Sequence, residues 1–90
     1  MWKVSYHKRV ITEDIPRLDT IIKKRIRIAI ESKILVHPEI YSKPLNGTLK
    51  NFRSARVGDY RIVFEVLEEE LFILIIKHRN AIYTDISKRL

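Results

Sequence analysis

The second half of the chain contains three strand-like runs separated by very short connections, and this arrangement constrains the fold more than any other feature. Residues 51–57 and 60–67 are rich in β-branched and aromatic residues and flank Gly58-Asp59, a dipeptide typical of a tight β-hairpin. Residues 71–77 follow an acidic turn and are apolar on both faces of a strand. Such a strand should be central and covered on both sides. The sequence therefore predicts an antiparallel meander with residues 71–77 in the interior of the sheet.

The first half predicts one short strand and two helices. Residues 2–6 alternate and contain β-forming residues, and residues 8–18 indicate a short helix weakened by Pro16. A longer helix begins after Asp19 or Thr20, either of which can cap it, and ends at His37-Pro38 because the residue before proline avoids the α region. Its apolar face is formed by Leu18, Ile22, Ile26, Ala29 and Ile30, and its polar face by Lys23, Lys24, Arg27 and Glu31.

The remaining segments complete a single domain that spans residues 1–90. Residues 38–50 contain two prolines and Asn46-Gly47, which indicates a connection, and residues 78–90 indicate a loop followed by a short C-terminal helix. The element order is β-α-α-β-β-β-α. We therefore expect an α+β fold in which two N-terminal helices pack on a twisted, mainly antiparallel sheet.

Charge and cysteine content limit the classes of function. The formal net charge is +7 in 90 residues. This charge favours a polyanionic partner, either a nucleic acid or an acidic protein; the alternative is a basic surface that only keeps the protein soluble. The absence of cysteine excludes disulfides and zinc–thiolate sites, and no spacing of histidines or carboxylates suggests a metal site, so we expect no cofactor. No signal-peptide pattern or membrane-length apolar run is present, and we expect a cytoplasmic protein without membrane contact.

The hairpin places two arginines opposite each other. Counting outward from Gly58-Asp59 pairs Arg56 with Arg61, and strand parity puts both on the sheet face that the two N-terminal helices do not cover. Like charges in this position are destabilising. Either the two arginines are solvated or are paired with Glu65, on the same face, and the acidic turn, or they bind an anion such as a phosphate.

Two further groups of residues accompany this pair. His78, Arg79 and Tyr83 follow the last strand closely, and His78 is the titratable side chain suited to proton transfer near neutral pH. Lys50 and Arg53 add positive charge at the start of the hairpin and, together with Arg56, favour contacts with a nucleic-acid backbone. Parity places Arg53 on the apolar side unless a bulge turns it outward.

The hairpin and the last strand together resemble a known family. The segments "KPLNGTLKNFRSARVGDYRIVFEV" and "LFILIIKHRNAIY" are similar to the RelE/ParE superfamily of toxin–antitoxin toxins, with "RVGDYRIVF" and "HRNAIY" the most specific parts. The resemblance covers essentially the whole chain. It implies a RelE-like fold and a cognate antitoxin that wraps the toxin in a hetero-oligomeric complex.

The resemblance also implies roles for individual residues. Arg61 matches the arginine that stabilises the scissile phosphate, Arg79 a second such arginine, and Tyr83 the tyrosine that orients the substrate nucleotide. Arg56 matches a commonly basic position. In the RelE branch these residues imply metal-independent cleavage of messenger RNA on the ribosome.

The sequence departs from this pattern at one point. The strand before Arg56 often carries basic residues in active RelE enzymes, one of which can act as the general base, and here those positions are Phe52 and Ser54. Three alternatives follow: a ribosome-dependent endoribonuclease, a ParE-like toxin that binds DNA gyrase, or a degenerate, non-toxic member.

Overall fold

A five-stranded sheet forms the centre of the protein. The computed structural model describes residues 3–90, and the strands in spatial order are β1 (Lys3–Tyr6), β5 (Glu70–His78), β4 (Tyr60–Leu67), β3 (Phe52–Val57) and β2 (Lys43–Pro44). β1 runs parallel to β5, and the other neighbours are antiparallel. The predicted meander and the interior position of its last strand are confirmed. Trp2, the first residue of the predicted N-terminal strand, lies outside the described residues.

Three helices surround the sheet. The first helix combines a wide π-type turn (Val10–Asp14) with a 3-10 turn (Ile15–Arg17), and the second runs over Thr20–Ala29 and continues as a π-type turn over Ile30–Ile34. The backbone N–H of Ile22 donates to the Asp19 carboxylate at 2.9 Å, which confirms Asp19 as the N-cap. The C-terminal helix comprises Ile82–Asp85 and a 3-10 turn over Ile86–Lys88.

The sheet separates two hydrophobic cores. The first core lies between the sheet and the first two helices, and its buried members include Ile26, Ile30, Ile62 and Phe64. This arrangement confirms the apolar helix face inferred from the sequence. The second core lies on the opposite face, where the C-terminal helix covers the sheet; its buried members are Val63, Leu74, Ile75, Ile82 and Ile86. The face that carries Arg56 and Arg61 is therefore partly covered at its centre.

A β-bulge in β5 determines which of its residues enter each of the two cores. Val63 pairs with Ile75 and Phe64 pairs with Ile73, so Leu74 is an extra residue in β5. The bulge allows Leu74 and Ile75, two consecutive residues, to enter the second core. It also reverses the side to which every later residue of β5 points.

The short edge strand β2 was not predicted. Lys43 pairs with Ser54, and Pro44 pairs with Arg53. The prolines correctly indicate an irregular connection, but a proline is tolerated on an edge strand, where its missing N–H has no ladder partner to lose. The Arg53 guanidinium donates to the hydroxyl of Ser42 at 2.7 Å and to its carbonyl at 3.0 Å, and so fastens the connection to β3.

A buried ion pair joins the first helix and the C-terminal segment to the sheet. Asp14 and Arg89 have side chains exposed by 0% and 2%, and two N···O distances of 2.9 Å make the pair bidentate. Asp14 also accepts from the backbone N–H of Ile76 at 3.0 Å, and Arg89 donates to the carbonyl of Leu74 at 3.0 Å. The pair thus connects the first helix, the β5 edge and the C-terminal segment.

Removing one member of this pair should be strongly destabilising. We expect Asp14→Leu to lower the free energy of unfolding by about 3–5 kcal/mol, because it leaves the Arg89 guanidinium buried and unpaired. Urea denaturation measures the loss. The double variant Asp14→Leu/Arg89→Met should recover part of it, since no buried charge remains.

The matched control is Glu13→Gln, which changes the residue next to Asp14 and breaks a partly exposed pair with Arg9. This variant should cost only a small fraction of the Asp14→Leu loss, because solvent screens an exposed pair. Equal losses for Asp14→Leu and Glu13→Gln would contradict a structural role of the buried pair.

Candidate functional site

Three cations form a row across the hairpin end of the sheet. Arg56 pairs with Arg61 across β3 and β4, and Arg61 pairs with Lys77 across β4 and β5. Directly opposed residues have Cα atoms about 4.5–5.5 Å apart and project to the same side. All three therefore lie on the face of the second core, as predicted for the two arginines.

The charges in this row are balanced unequally. Lys77 Nζ lies 3.7 Å from the carboxylate of Asp14 and 3.6 Å from that of Asp85. Arg61 instead donates to the Ser54 hydroxyl at 3.2 Å, and Arg56 donates to the Gly58 carbonyl at 3.0 Å. Within residues 3–90 neither arginine has an ion-pair partner. The unbalanced positive charge is concentrated at Arg56 and Arg61.

Glu65 does not compensate the arginine pair. It lies opposite Phe52 on β3 and Phe72 on β5, four residues along β4 from Arg61. Four residues of a strand span about 13 Å. The alternative of an internally neutralised pair is therefore wrong for the described part of the chain.

An open groove lies beside the two arginines. It has a volume of 560 Å³ and is lined by Ser54, Arg56 and Arg61 from the sheet and by residues 39–43 from the connection. Lys43 enters this groove because β2 pairs it with Ser54. Sequence reasoning missed Lys43, since its place depends on a two-residue strand. We call the surface formed by Lys43, Ser54, Arg56 and Arg61 the arginine groove.

Arg79 and Tyr83 both follow β5, and neither lines the arginine groove. The Arg79 backbone N–H donates to the Asp59 carbonyl at 2.8 Å, which holds the end of β5 against the hairpin turn. Its guanidinium is largely exposed, 3.9 Å from the Asp59 carboxylate. Tyr83 is 51% exposed in the C-terminal helix, which covers the same sheet face as Arg61. Both side chains are free to contact a ligand at this end of the molecule.

The structure does not bring His78 to Arg61, which corrects the expected grouping. His78 pairs with Tyr60, and the two rings are in edge-to-face contact at 5.5 Å between centroids. Tyr60 packs against the first core, on the other face of the sheet from Arg61. The physical reason is the bulge at Leu74, which reverses the sides of the residues after it.

Lys50 and Arg53 also lie outside the arginine groove. Lys50 lies in the turn before β3, at the opposite end of that strand from Arg56. Arg53 is engaged with Ser42, and its NH2 lies 3.5 Å from the carbonyl of Glu39. The structure gives Arg53 a role in holding the connection, while its expected contact with RNA stays untested.

The donor set of the groove suits an oxyanion. A guanidinium offers a planar fork of donors that matches a phosphate, and two forks held side by side gain from an anion between them. Residues 3–90 contain no group of three or more His, Cys, Asp or Glu side chains that could hold a metal ion. None of the helices in this range is long and apolar enough to cross a membrane.

Comparison with known families agrees with the fold and the hairpin. Residues 6–83 match the family model described as the ParE toxin of type II toxin–antitoxin systems, parDE. The chain belongs to this family. It is thus a toxin of a type II toxin–antitoxin system, and the resemblance to the RelE/ParE superfamily is confirmed. No curated protein sequence matches the chain.

Solved structures of RelE-type toxins share the fold. The toxin is similar to a chain of the RelB-RelE antitoxin–toxin complex of Methanococcus jannaschii, with 26% identity, a TM-score of 0.72, and coverage of 89% of this chain and 95% of that one. For the RelBE2 toxin–antitoxin complex of Mycobacterium tuberculosis the values are 24%, 0.80, 87% and 98%. Isolated E. coli RelE is 18% identical, with a TM-score of 0.73 and coverage of 99% and 98%. The predicted RelE-like α+β fold is confirmed.

Repulsion between Arg56 and Arg61 predicts that removing one of the two charges raises the free energy of unfolding. We expect Arg56→Gln to raise the free energy of unfolding by roughly 0.2–1 kcal/mol at low salt, because it removes a like-charge cross-strand pair. The gain should shrink at high salt, where the repulsion is screened. Urea denaturation at two ionic strengths measures it.

Lys24→Gln removes the same charge from the exposed face of the second helix and serves as the control. Inorganic phosphate should raise the melting temperature of the wild type and of Lys24→Gln more than that of Arg56→Gln. An equal response in all three proteins would show that the arginine pair holds no anion.

Proposed function

We propose that this toxin is a metal-independent endoribonuclease that cleaves messenger RNA on the ribosome and is neutralised by a cognate antitoxin. The observation that carries the proposal is the cross-strand pair of Arg56 and Arg61, held in an open groove where neither has an ion-pair partner among residues 3–90. Local conflicts of this kind are expected at functional sites. A phosphodiester between the two guanidiniums removes the conflict.

The arrangement fits the charge changes of RNA cleavage. When the 2′-oxygen bonds to the adjacent phosphorus, its proton passes to water and the bond from phosphorus to the 5′ oxygen breaks. Negative charge grows on the non-bridging oxygens during this step, and preorganised donors near them lower the barrier. Arg61 is the better placed donor, because the Ser54 hydroxyl accepts from its NH1 and restrains the guanidinium. Arg56 supplies the second fork.

The other matched residues complete the binding of the nucleotide. Arg79 extends the positive surface at the end of β5, and the exposed ring of Tyr83 can stack on a base. Base–aromatic stacking is worth about 1–3 kcal/mol per base. These two contacts would fix the nucleotide whose phosphate Arg61 holds.

Lys43 can serve as the general acid of the reaction, one of the two proton-transfer roles for which positions 52 and 54 carry no basic residue. Phe52 is part of the second core, and Ser54 is occupied by Arg61, so neither can take the place of a basic side chain. Lys43 lies directly opposite Ser54 and reaches the groove from β2. Its ammonium group is a proton donor for the leaving 5′ oxygen.

The antitoxin part of the proposal has its own support. The M. jannaschii and M. tuberculosis relatives are toxin–antitoxin complexes. A net charge of +7 gives this toxin an electrostatic attraction to an acidic partner. A hetero-oligomeric complex with such an antitoxin would cover positive surface that otherwise meets RNA.

Transcript mapping tests the nuclease proposal. Brief expression of the wild type from a tightly controlled promoter should produce new messenger RNA ends within translated regions. Arg61→Gln should reduce this cleavage by about 10²–10³-fold, because it removes a charged donor to the phosphate in the transition state. Lys24→Gln, which removes the same charge outside the groove, should cleave like the wild type.

A second candidate function is inhibition of DNA gyrase by protein binding. Two observations favour it: the family model is that of ParE, and His78 is turned away from the arginines. In that case growth stops while messenger RNA stays intact, gyrase-linked DNA breaks appear, and Arg61→Gln stays toxic. Absence of growth inhibition on induction would instead identify a non-toxic member.

A further inference from the structure

A second positively charged groove lies on the other side of the hairpin end. It occupies 330 Å³ between the second helix and β3, and its polar lining includes Arg25 and Lys33 from the helix and Arg56 from the sheet. We call it the helix groove. Because Tyr41 and Arg56 line both this groove and the arginine groove, the two are neighbours around one edge of the sheet.

Two guanidiniums converge on the hairpin turn between the grooves. Gly58 has φ of +60°, and a Cβ at this position would lie 3.4 Å from NH1 of Arg25. Arg56 donates from Nε to the carbonyl of the same glycine at 3.0 Å. Neither arginine has an ion-pair partner within the described part of the chain. The positive charges of Arg25 and Arg56 therefore both lie next to Gly58.

The sheet edge between the grooves is open. β2 pairs only with Arg53 and Ser54, so no described strand covers residues 55–57 of β3 on that side. Tyr41 stands beside this edge, 44% exposed, with Lys33 Nζ 5.9 Å from the centroid of its ring. An aromatic ring flanked by cations at an open edge is the combination that single-stranded nucleic acids bind.

We infer that RNA leaving the arginine groove crosses the open edge of β3 and continues in the helix groove. Arg25 and Lys33 contact the backbone of the flanking nucleotides there, and Tyr41 stacks on one base. This inference rests on the proposed function and extends its substrate site from one phosphate to a longer track. The tighter binding of longer RNA would then depend on Arg25, Lys33 and Tyr41.

RNA suits this groove better than a peptide does. Its cations continue from those beside Arg61, and guanidinium forks match phosphates. A contrasting groove lies along the opposite side of the second helix, where Leu18, Ile26 and Ile30 give a largely apolar lining with Lys24 and Arg27 at its rim. That apolar lining is the one suited to a protein segment.

Binding of uncleavable RNA tests the track. The probes are a trinucleotide and a decanucleotide of 2′-O-methyl RNA, titrated at low salt and followed by fluorescence anisotropy. Arg25→Gln/Lys33→Gln should weaken decanucleotide binding about tenfold or more, and should lower the slope of log K against log salt by about 1.4 for two lost phosphate contacts. Trinucleotide binding should be unchanged.

Lys24→Gln/Arg27→Gln is the matched control. It removes two charges from the same helix but from the side of the apolar groove, and should retain decanucleotide affinity to within about twofold and the full salt slope. Tyr41→Leu should weaken decanucleotide binding about fivefold or more without altering the salt slope, because it removes stacking and no charge.

Three results would overturn the track. The two charge variants could behave alike, the wild type could bind the decanucleotide no tighter than the trinucleotide, or Arg25→Gln/Lys33→Gln could lose affinity for the antitoxin while RNA binding is retained. Messenger RNA cleavage that still depends on Arg61 would then leave the proposed function intact. A wild type that cleaves no messenger RNA refutes the proposed function itself.

Discussion

The buried pair of Asp14 and Arg89 is the interaction on which the functional end of this toxin depends. Burying two charges is expensive, and the bidentate geometry together with hydrogen bonds to Ile76 and Leu74 offsets that cost. The pair holds the C-terminal segment against β5, which fixes the helix that carries Tyr83. Asp14 also lies within ion-pair distance of Lys77. The buried carboxylate of Asp14 thus both stabilises the fold through Arg89 and compensates the charge of Lys77 on β5.

Because Lys77 is compensated, positive charge at the sheet surface is confined to a small region. Arg56 and Arg61 face each other with no ion-pair partner among residues 3–90, and Arg25 approaches the same turn from the second helix. The pairing of like charges there opposes stability, whereas Gly58 suits the turn because its φ is +60°. Conflicts of this kind between local preference and the fold are typical of binding sites. Their concentration around Gly58 distinguishes this end of the molecule from the rest of its basic surface.

Local patterns were sufficient to predict most of the fold. The Gly58-Asp59 turn fixed the pairing of Arg56 with Arg61, and helical periodicity identified the buried face with Ile26 and Ile30, because both signals arise from neighbouring residues. The pair of Asp14 and Arg89 spans 75 residues and leaves no periodic trace. β2 is too short for a strand pattern, so Lys43 was missed.

The bulge at Leu74 has a consequence for how toxins of this kind can diverge. Strict alternation from Leu71 would put His78 on the face of Arg61 and Lys77 on the face of the first core, whereas the extra residue exchanges them. Closing the bulge with every residue of β5 retained would therefore put His78 on the face of Arg61, whereas deletion of Leu74 would leave Lys77 opposite Arg61. Loss or gain of the bulge, rather than substitution of either residue, would change which of these two side chains lies on the face of the arginines.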